Sequence, residues 1–332
     1  MLTWIAGFII LIVKLTLVLL VLLVVAAYLV WVERKFLARL QIRYGPNRAG
    51  TFGLLQPLAD VVKMIAKEDT VPDGADRALF LIAPAVVATT AFVTFSVVPF
   101  GADITLWGHR VPLVVTDLNI GLLFVFAMSS LSVYGVALGG WASNSKYGLL
   151  GGIRGAAQMI SYELSLGLSL IPVVMMAHSF SLVDIVQSQQ RYPFIIFQPL
   201  AFVIFVISAM AESKRIPFDL PEAENELVAG YHTEYSGMRF GLFFLGEYVH
   251  MMVLGGILSV LFLGGWRGPF LPPLVWLLIK IILVALFMIW VRGTLPRLRY
   301  DQLMTLGWKV LIPLALLNIL VTGAAGILRV FP

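Results

Sequence analysis

Long apolar runs, separated by short charged stretches, are the feature that most limits what this chain can fold into. Of its 332 residues, 60% are hydrophobic and 12% are charged, whereas about 25% are charged in an ordinary soluble domain. A helix that crosses the hydrocarbon core, which is about 30 Å thick, needs roughly 20 apolar residues. We therefore expect an all-α integral membrane protein of about eight spans. The runs lie at about 4–31, 78–99, 118–140, 158–179, 193–211, 240–264, 273–292 and 308–329.

Three of these runs depart from a simple apolar span. The run at 193–211 is short, and the runs at 158–179 and 240–264 carry acidic residues. The sequence contains no internal repeat and no low-complexity tract. We therefore predict a single transmembrane domain that comprises residues 1–332.

Basic residues concentrate on one side of the predicted membrane. The loops at 32–77, 141–157, 212–239 and 292–307, with Lys309 just beyond, hold 17 of the 23 Lys and Arg residues. Loops on the cytoplasmic side of a membrane carry such an excess. These four loops are therefore predicted to face the cytoplasm.

The first of them, loop one (32–77), is predicted to contain an amphipathic helix. From Thr51 to Glu68, apolar and polar side chains fall on opposite faces at helical spacing. A helix of this kind can lie in the membrane surface. Its apolar face consists of Leu54, Leu55, Leu58, Val61, Val62 and Ile65, and its polar face of Gln56, Asp60, Lys63 and Lys67.

The absence of cysteine limits the cofactors that the chain can hold. Iron–sulfur clusters and thiolate zinc sites use cysteine ligands, so neither is expected. The histidines show no spacing typical of metal ligands. The net charge of +5 is attributed to membrane orientation rather than to nucleic-acid binding.

Ionisable residues inside the predicted spans are candidates for function, because a charge in hydrocarbon is costly. Glu163, Glu212 and Glu247 lie in or at the ends of three consecutive spans, on the same half of the membrane. The alternative is a static buried ion pair, for instance Glu247 with Lys280. Three acids on consecutive spans favour a proton path.

The loop between spans five and six, loop five (212–239), is rich in acids. Asp219, Glu222, Glu224 and Glu226 fall within eight residues. Solvated acidic loops often have this composition. Two prolines stiffen the loop, however, and two basic residues adjoin the acids. These features favour a structured, partly buried acidic cluster.

Loop one and loop seven (292–307) contribute further basic residues, among them Arg34, Arg43, Arg292 and Arg299. Such residues often do no more than set the topology. A cleft between these loops, apolar within and basic at its mouth, would also suit a lipophilic quinone whose head group accepts hydrogen bonds. The residue pattern alone leaves both interpretations open.

Several motifs resemble those of one known family. ERK at 33–35, QIRYGPN at 41–47 and GLLQPLADVVK at 53–63 resemble the first signature of NADH dehydrogenase subunit one, whose bacterial form is the H-subunit of respiratory complex I. PFDLPEAE at 217–224 resembles the second signature of that family. The resemblance covers essentially the whole chain in order. Further similar stretches are ISYE at 160–163, GEY at 246–248 and PRLRYDQL at 296–303.

The resemblance implies a role as a membrane subunit of proton-pumping NADH:quinone oxidoreductase. With two peripheral-arm subunits, family members enclose a chamber in which the substrate quinone is reduced by an iron–sulfur cluster held elsewhere. The expected partners are those subunits, neighbouring small membrane subunits, quinone and lipid, without nucleic acid. No FMN, iron–sulfur cluster or metal is expected on this chain. By motif, the quinone chamber would involve Arg34, Arg43, Asp60, Lys63, Arg215, Arg292 and Arg299, and the proton path Glu163, Glu212, Asp219, Glu222, Glu224, Glu226 and Glu247.

Two other functions fit parts of the sequence. A secondary transporter would move ions with membrane Glu and Lys residues, but it would be expected to show corresponding broken helices in two halves. A homologous subunit of a membrane-bound hydrogenase or of a plastoquinone-linked complex would share many motifs, although the full loop-one motif favours a quinone-reducing enzyme. The predicted location is the bacterial cytoplasmic (inner) membrane, with the mitochondrial inner membrane as the alternative.

Overall fold

The computed structural model describes residues 2–101, 104–106, 109–111 and 113–328. Most of these residues are helical. Single turns of 3₁₀ helix lie at Thr51–Gly53, Phe194–Ile196 and Gly230–His232. The α-helices are α1 (Leu2–Leu40), α2 (Gln56–Ala66), α3 (Arg77–Phe95), α4 (Gly121–Ala142), α5 (Lys146–Ala177), α6 (Leu182–Ser188), α7 (Pro199–Glu212), α8 (Glu224–Leu227), α9 (Gly237–Phe262), α10 (Pro273–Thr294), α11 (Tyr300–Thr305) and α12 (Ile312–Ile327).

Seven helical segments in the described part of the chain are long and apolar enough to cross a membrane. The last of them, Tyr300–Ile327, joins α11 to α12 through a π-helical turn at Leu306–Leu311. The remaining predicted span corresponds to α7, whose 14 residues extend about 21 Å at 1.5 Å per residue. That length is below the thickness of the hydrocarbon core, as the short run at 193–211 indicated. The predicted all-α membrane fold is confirmed.

Two helices extend further into the loops than their apolar runs predicted. α1 continues to Leu40, and α5 begins at Lys146 rather than near residue 158. Most of the predicted loop at 141–157 is therefore helical. Its glycines allow α4 and α5 to pack closely, since a Cβ on Gly140 would lie 2.3 Å from the carbonyl oxygen of Gly148.

The predicted amphipathic helix is confirmed as α2, although its bounds are narrower. The helix covers Gln56–Ala66, and the preceding residues Thr51–Gly53 form a separate turn in which Phe52 has a φ of 55°. Most of the apolar stripe of α2 is exposed. The location of this stripe in the membrane surface stays a prediction.

α9 lies at the centre of the helix bundle. Within its most apolar stretch, 83% of the residues are buried, compared with 17% for α1 and for Tyr300–Ile327. α9 packs against α1, α3, α7 and α10, and α5 packs against α4, α7 and α12. Charged groups on α9 are therefore enclosed by protein on most sides.

A short hairpin between α3 and α4 was not predicted from the sequence. Its strands are β1 (Ile104–Leu106) and β2 (His109–Val111), which pair in antiparallel register. The hairpin is a local departure from the otherwise helical fold, and it leaves the helix packing around α9 unchanged.

Candidate functional site

Eight charged side chains gather where α1, α9 and α10 meet loop five, and we call them the charge cluster. Four of them are cations and four are anions, so their formal charges balance. Most are buried, although an ion is costly to remove from water unless it is paired. The members of the charge cluster are Glu33, Lys214, Arg215, Asp219, Glu222, Glu247, Arg292 and Arg297.

Glu33, in the last turns of α1, has the largest number of partners. Nη1 of Arg215 donates to Oε1 at 3.0 Å and to Oε2 at 2.8 Å. Arg292 also donates to Oε1, and the hydroxyl of Tyr248 donates to Oε2 at 2.7 Å. The Glu33 side chain is 4% exposed. These partners supply the charge pairing and hydrogen bonds that a buried carboxylate requires.

Arg215 connects Glu33 to α9. Its Nε lies 2.7 Å from Oε1 of Glu247, and its guanidinium carbon lies 4.3 Å from the ring centre of Tyr248. A planar guanidinium can pair with carboxylates at its edge and stack on an aromatic ring with its face. One side chain from loop five therefore holds α1 and α9 together.

Loop five is folded against the bundle. Nε2 of Gln158 on α5 donates to the carbonyl oxygens of Ala211 at 2.7 Å and of Phe218 at 2.6 Å. Gly230 has a φ of 58°, and a Cβ at this position would lie 1.7 Å from the carbonyl oxygen of Pro221. Only glycine fits there. The loop is therefore structured, as its prolines and neighbouring charges indicated.

The two adjacent cations of loop five differ electrostatically. Burial lowers the pKa of Lys214, and the charges of Glu247 and Glu222 only partly oppose this shift. Burial also acts to lower the pKa of Arg215, but Glu247, Tyr248 and Glu33 outweigh it and raise that pKa well above its ordinary value. Arg215 is therefore a permanent charge, whereas the charge of Lys214 depends on the neighbouring carboxylates.

The two loop-five acids of the charge cluster shift in opposite directions. Burial and the charge of Glu222 raise the pKa of Asp219 to about 7, although Nη2 of Arg297 donates to its Oδ2 at 2.8 Å. Burial also acts to raise the pKa of Glu222, but the hydrogen bond and charge of His232, with the charge of Lys214, lower it below its ordinary value. Neighbouring carboxyls whose pKa values are separated can share one proton near neutral pH.

Two further acids lie deeper in the bundle, and we call Glu163 and Glu212 the membrane acids. Consecutive serines of α4 hold them: Ser130 donates to Oε1 of Glu163, and Ser129 donates to Oε1 of Glu212. Nε2 of His250 on α9 lies 3.4 Å from the same Glu212 oxygen. Side chains of α4, α5, α7 and α9 therefore form one polar group among apolar helices.

An apolar cavity of about 300 Å³ lies between α1, α2 and α9. Two of its lining residues form an ion pair, in which Nη1 of Arg34 donates to Oδ2 of Asp60 at 2.7 Å. Nε2 of Gln56 donates to the other carboxylate oxygen at 3.0 Å. Tyr248 also lines the cavity, and its hydroxyl donates to Glu33. One side chain therefore separates the cavity from the charge cluster.

The seven residues predicted for a quinone chamber occupy three different environments. Adjacent residues in the sequence do not always share one, because the helices direct their side chains to different sides. The cavity is lined by Arg34 and Asp60, the charge cluster includes Arg215 and Arg292, and Arg43, Lys63 and Arg299 are exposed outside both.

The seven residues predicted for a proton path divide in a similar way. Five of them are buried or partly buried, and two are exposed on α8. The exposed Glu226 lies 2.5 Å from Nη1 of Arg154. The membrane acids are Glu163 and Glu212, the charge cluster includes Asp219, Glu222 and Glu247, and Glu224 and Glu226 are exposed.

Four residues of the site were not among the predicted site residues: Glu33, Tyr248, His250 and Arg297. Glu33 could have been found, since it is the first acid of the chain and follows a long apolar run. His250 follows Glu247 by three residues, which places both on neighbouring positions of one helix face. Tyr248 and Arg297 carry no signal in the sequence beyond their neighbours.

Lys280 does not pair with Glu247, the alternative considered for both residues. Its Nζ donates to the carbonyl oxygens of Leu263, Gly265 and Arg267, each at 2.7 Å. α9 and α10 form an antiparallel hairpin, so the start of α10 meets the end of α9, whereas Glu247 lies nearer to the beginning of α9. We call these three carbonyl groups the carbonyl cradle.

No group of three or more His, Asp or Glu side chains is placed to hold a metal ion within the described ranges 2–101, 104–106, 109–111 and 113–328. The chemistry of the site is therefore considered in terms of protons, charges and an apolar ligand. That this chain carries no FMN, iron–sulfur cluster or metal stays a prediction.

The fold and the site define a class, that of multi-pass membrane proteins with a buried charge cluster beside an apolar cavity. The family model described as NADH dehydrogenase matches residues 13–323. The chain therefore belongs to the NADH dehydrogenase family, and the resemblance inferred from the motifs is confirmed.

Three relatives, all H-subunits of NADH-quinone oxidoreductase, show how closely the chain follows this family. The second such protein of Syntrophobacter fumaroxidans is 80% identical over 324 residues, which cover 98% of each chain. The first such protein of Geobacter metallireducens is 66% identical and covers 95% of this chain and 96% of its own. The one from Thermomicrobium roseum is 53% identical and covers 91% and 92%. The similarity thus extends over nearly the full length of both partners.

Proposed function

We propose that this chain is the quinone-site membrane subunit of a proton-translocating NADH:quinone oxidoreductase. It would form part of the quinone chamber and couple quinone reduction to proton movement. The observation that carries this proposal is the position of Tyr248, which lines the apolar cavity and hydrogen-bonds to Glu33 of the charge cluster. A ligand in the cavity is therefore one side chain away from eight coupled charges.

The cavity suits a quinone in both size and chemistry. Ligand pockets typically measure about 300–1,000 Å³ and combine apolar walls with a few polar groups. Here the walls are mostly apolar, and the pair of Arg34 and Asp60 supplies the polar groups. Because α2 exposes an apolar face, an isoprenoid tail could pass from lipid along this helix into the cavity.

The reaction defines what this chain must do. Quinone takes up two electrons and two protons to form quinol, and oxidation of NADH to NAD⁺ and a proton supplies the electrons through centres on other subunits. This chain would bind quinone and respond to the change in charge. Arg34 and Asp60 would fix the quinone at the cavity, and Tyr248 would transmit its charge state to Glu33.

Proton movement would begin in the charge cluster and continue to the membrane acids. Asp219 and Glu222 are arranged to hold one proton between them near pH 7, and Arg215 binds both Glu33 and Glu247. A change of charge at Glu33 would therefore alter the proton affinity of Glu247 and, beyond it, of Glu212 and Glu163. Because they are exposed, Glu224 and Glu226 have no place in the proposed path.

The proposed setting follows from the same features. The polar face of α2, the folded loop five and the exposed Arg43 and Arg299 would contact the peripheral-arm subunits that complete the chamber. The membrane acids, which lie on α5 and α7, would face small membrane subunits that continue the path. The proposed location is the bacterial cytoplasmic membrane.

Quinone binding at the cavity is tested with Asp60→Ala in the assembled complex. The change leaves Arg34 without its partner, so quinone reduction by NADH should fall at least about tenfold, the effect of about 1.4 kcal/mol lost from transition-state binding. Reduction of ferricyanide by NADH, which bypasses quinone, should remain at the wild-type rate. Asp73→Ala, an exposed acid of the same loop, is the matched control. Equal loss of both activities in Asp60→Ala would contradict a role in quinone binding.

The proton path is tested with Glu163→Gln in reconstituted vesicles. This change keeps the side-chain shape and removes the ionisable group, so the number of protons moved per electron should fall, whereas Glu163→Asp should retain part of it. Glu68→Gln, in exposed surroundings, is the control. A fully assembled Glu163→Gln enzyme with wild-type rate and stoichiometry would make the residue structural.

A further inference from the structure

His250 occupies the gap between the charge cluster and the membrane acids. It lies on α9 one turn deeper than Glu247, which belongs to the charge cluster, and its Nε2 is 3.4 Å from Oε1 of Glu212. That distance exceeds a hydrogen bond of ordinary length. Within the described part of the chain, Nε2 has no hydrogen-bond partner and is closed to solvent. Such a buried nitrogen calls for an explanation.

Two small cavities adjoin this histidine. One of about 10 Å³ is lined by Glu247, Lys214, Glu212 and His250, so it joins the charge cluster to the membrane acids. The other, also of about 10 Å³, is lined by Glu212 and His250 with Ser129. A cavity of about 10–15 Å³ has room for one water, which needs two to four polar partners. Both cavities provide that number of partners.

We propose that His250 relays protons between the charge cluster and Glu212. Imidazole suits this task, since one ring nitrogen can accept a proton while the other releases one. A proton would leave Glu247 through a water in the first cavity, bind to His250, and pass from its other nitrogen to Glu212. The number of protons on the histidine is restored at the end of each transfer.

The groups around His250 favour a brief positive charge on the ring. Glu212 on α7 faces it directly, Glu247 precedes it on α9, and the charge of Glu163 on α5 also interacts with it. Lys214 is the cation that lines the shared cavity. The α4 side contributes Ser129, which has no charge. Three carboxyl groups thus oppose one ammonium, so an imidazolium is electrostatically balanced.

The inference rests on the proposed function, because it presumes that the membrane acids carry protons. It assigns to His250 a positioning and proton-carrying role that acts through Glu212, without contact with quinone. A purely structural histidine would contribute packing alone, and its replacement by a side chain of similar size would then leave proton movement unchanged.

The test uses the assembled complex in vesicles and the variant His250→Asn, which keeps a hydrogen-bonding side chain but does not titrate. Positioned proton-transfer groups contribute about 10²–10⁴-fold, so coupled quinone reduction should slow by at least about tenfold. Its solvent deuterium isotope effect should rise, and the wild-type pH dependence between about pH 5 and 8, where histidine titrates, should be lost. Ferricyanide reduction should stay unchanged.

The controls separate this inference from the proposed function. His178→Asn is the matched control, since His178 ends α5 with a φ of 54°, a conformation that Asn tolerates. If His250→Asn does not assemble, His250→Gln is measured in the same way. A wild-type rate, isotope effect and pH profile in either assembled variant, while Glu212→Gln is impaired, would overturn the relay alone. Wild-type behaviour of both Glu212→Gln and Glu163→Gln would overturn the proposed function.

Discussion

The charge cluster and the carbonyl cradle lie at opposite ends of α9, and they accommodate charge in the bundle by different means. In the cluster, ions pair with ions, and three cationic or hydroxyl side chains meet at Glu33. In the cradle, the ammonium of Lys280 binds only backbone oxygens in the described contacts. Both arrangements satisfy their charges. They differ in what happens when a proton moves.

The difference shows when a buried charge is suited to function. Carbonyl groups cannot take up a proton near neutral pH, so the cradle has one stable state. In the cluster, the partners of each charge are themselves ionisable, and Asp219 has a pKa of about 7. A proton added at one site therefore changes the affinity of the others. The cradle fastens α9 to α10, whereas the cluster can store and release charge.

Replacing the central cation of the cluster should give the largest effect. Arg215→Met leaves Glu33 and Glu247 buried without their shared partner, and breaking a buried pair in this way costs about 3–5 kcal/mol. We expect loss of assembled complex, measured as yield and thermal stability in mild detergent. Arg48→Met, at an exposed position, should behave as wild type. A stable, fully active Arg215→Met enzyme would remove the basis for treating the eight charges as one unit.

Lys280→Met should have an intermediate effect that is confined to stability. The change leaves carbonyl oxygens of the cradle without a donor, and unsatisfied buried groups cost about 1–3 kcal/mol each. We expect a lower thermal midpoint, while the number of protons moved per electron in the assembled enzyme stays at the wild-type value. A lower proton stoichiometry with unchanged stability would mean that the comparison is wrong and that Lys280 belongs to the proton path.

Asp219→Asn should change the pH dependence. Below about pH 7 Asp219 holds a proton, and above it the carboxylate binds Arg297. Between about pH 4 and 7 the folded state thus binds a proton that the unfolded chain has released, so the free energy of unfolding falls as the pH rises. The variant should lack this slope in thermal midpoints, and its activity should lack a transition near pH 7. Asp301→Asn, an exposed acid, should retain both, and retention of both by Asp219→Asn would contradict the assignment.

Glu226→Ala should have the smallest effect. Its partner Arg154 is 31% exposed and Glu226 itself is 53% exposed, and exposed pairs contribute about 0–1 kcal/mol. We expect wild-type stability within that range, wild-type quinone reduction and wild-type proton stoichiometry in vesicles. A clear drop in stoichiometry would extend the proton path onto α8 and enlarge the functional part of loop five.

The sequence predicted the membrane fold well, because apolar runs report directly on where lipid can be tolerated. It predicted helix ends less well where packing outweighs local preference. The glycines near Gly148 favour a loop by propensity, yet they are needed because Gly140 of α4 approaches so closely. A pattern of small residues records contact distance, and that distance becomes visible only when the neighbouring helix is known.

For the site, the sequence identified the ionisable residues but not their partners. Arg215 and Arg292 meet at Glu33 although 77 positions separate the two arginines, and no local pattern encodes such a meeting. The order of the helices does contain one usable constraint. Because α9 and α10 are consecutive and antiparallel, a residue near the start of α10 cannot reach the beginning of α9. This argument would have excluded the pair of Glu247 and Lys280 in advance.

The length of α1 has a mechanical consequence. Its 39 residues span about 58 Å, and its last turns present two adjacent side chains to different places: Glu33 to the charge cluster and Arg34 to the cavity. Consecutive residues of a helix are about 100° apart and cannot turn independently. Any rotation of α1 that tightens the contact of Arg34 with a ligand must also swing Glu33 against Arg215. The helix thus gears ligand occupancy to ion pairing, as a shaft turns two wheels at once.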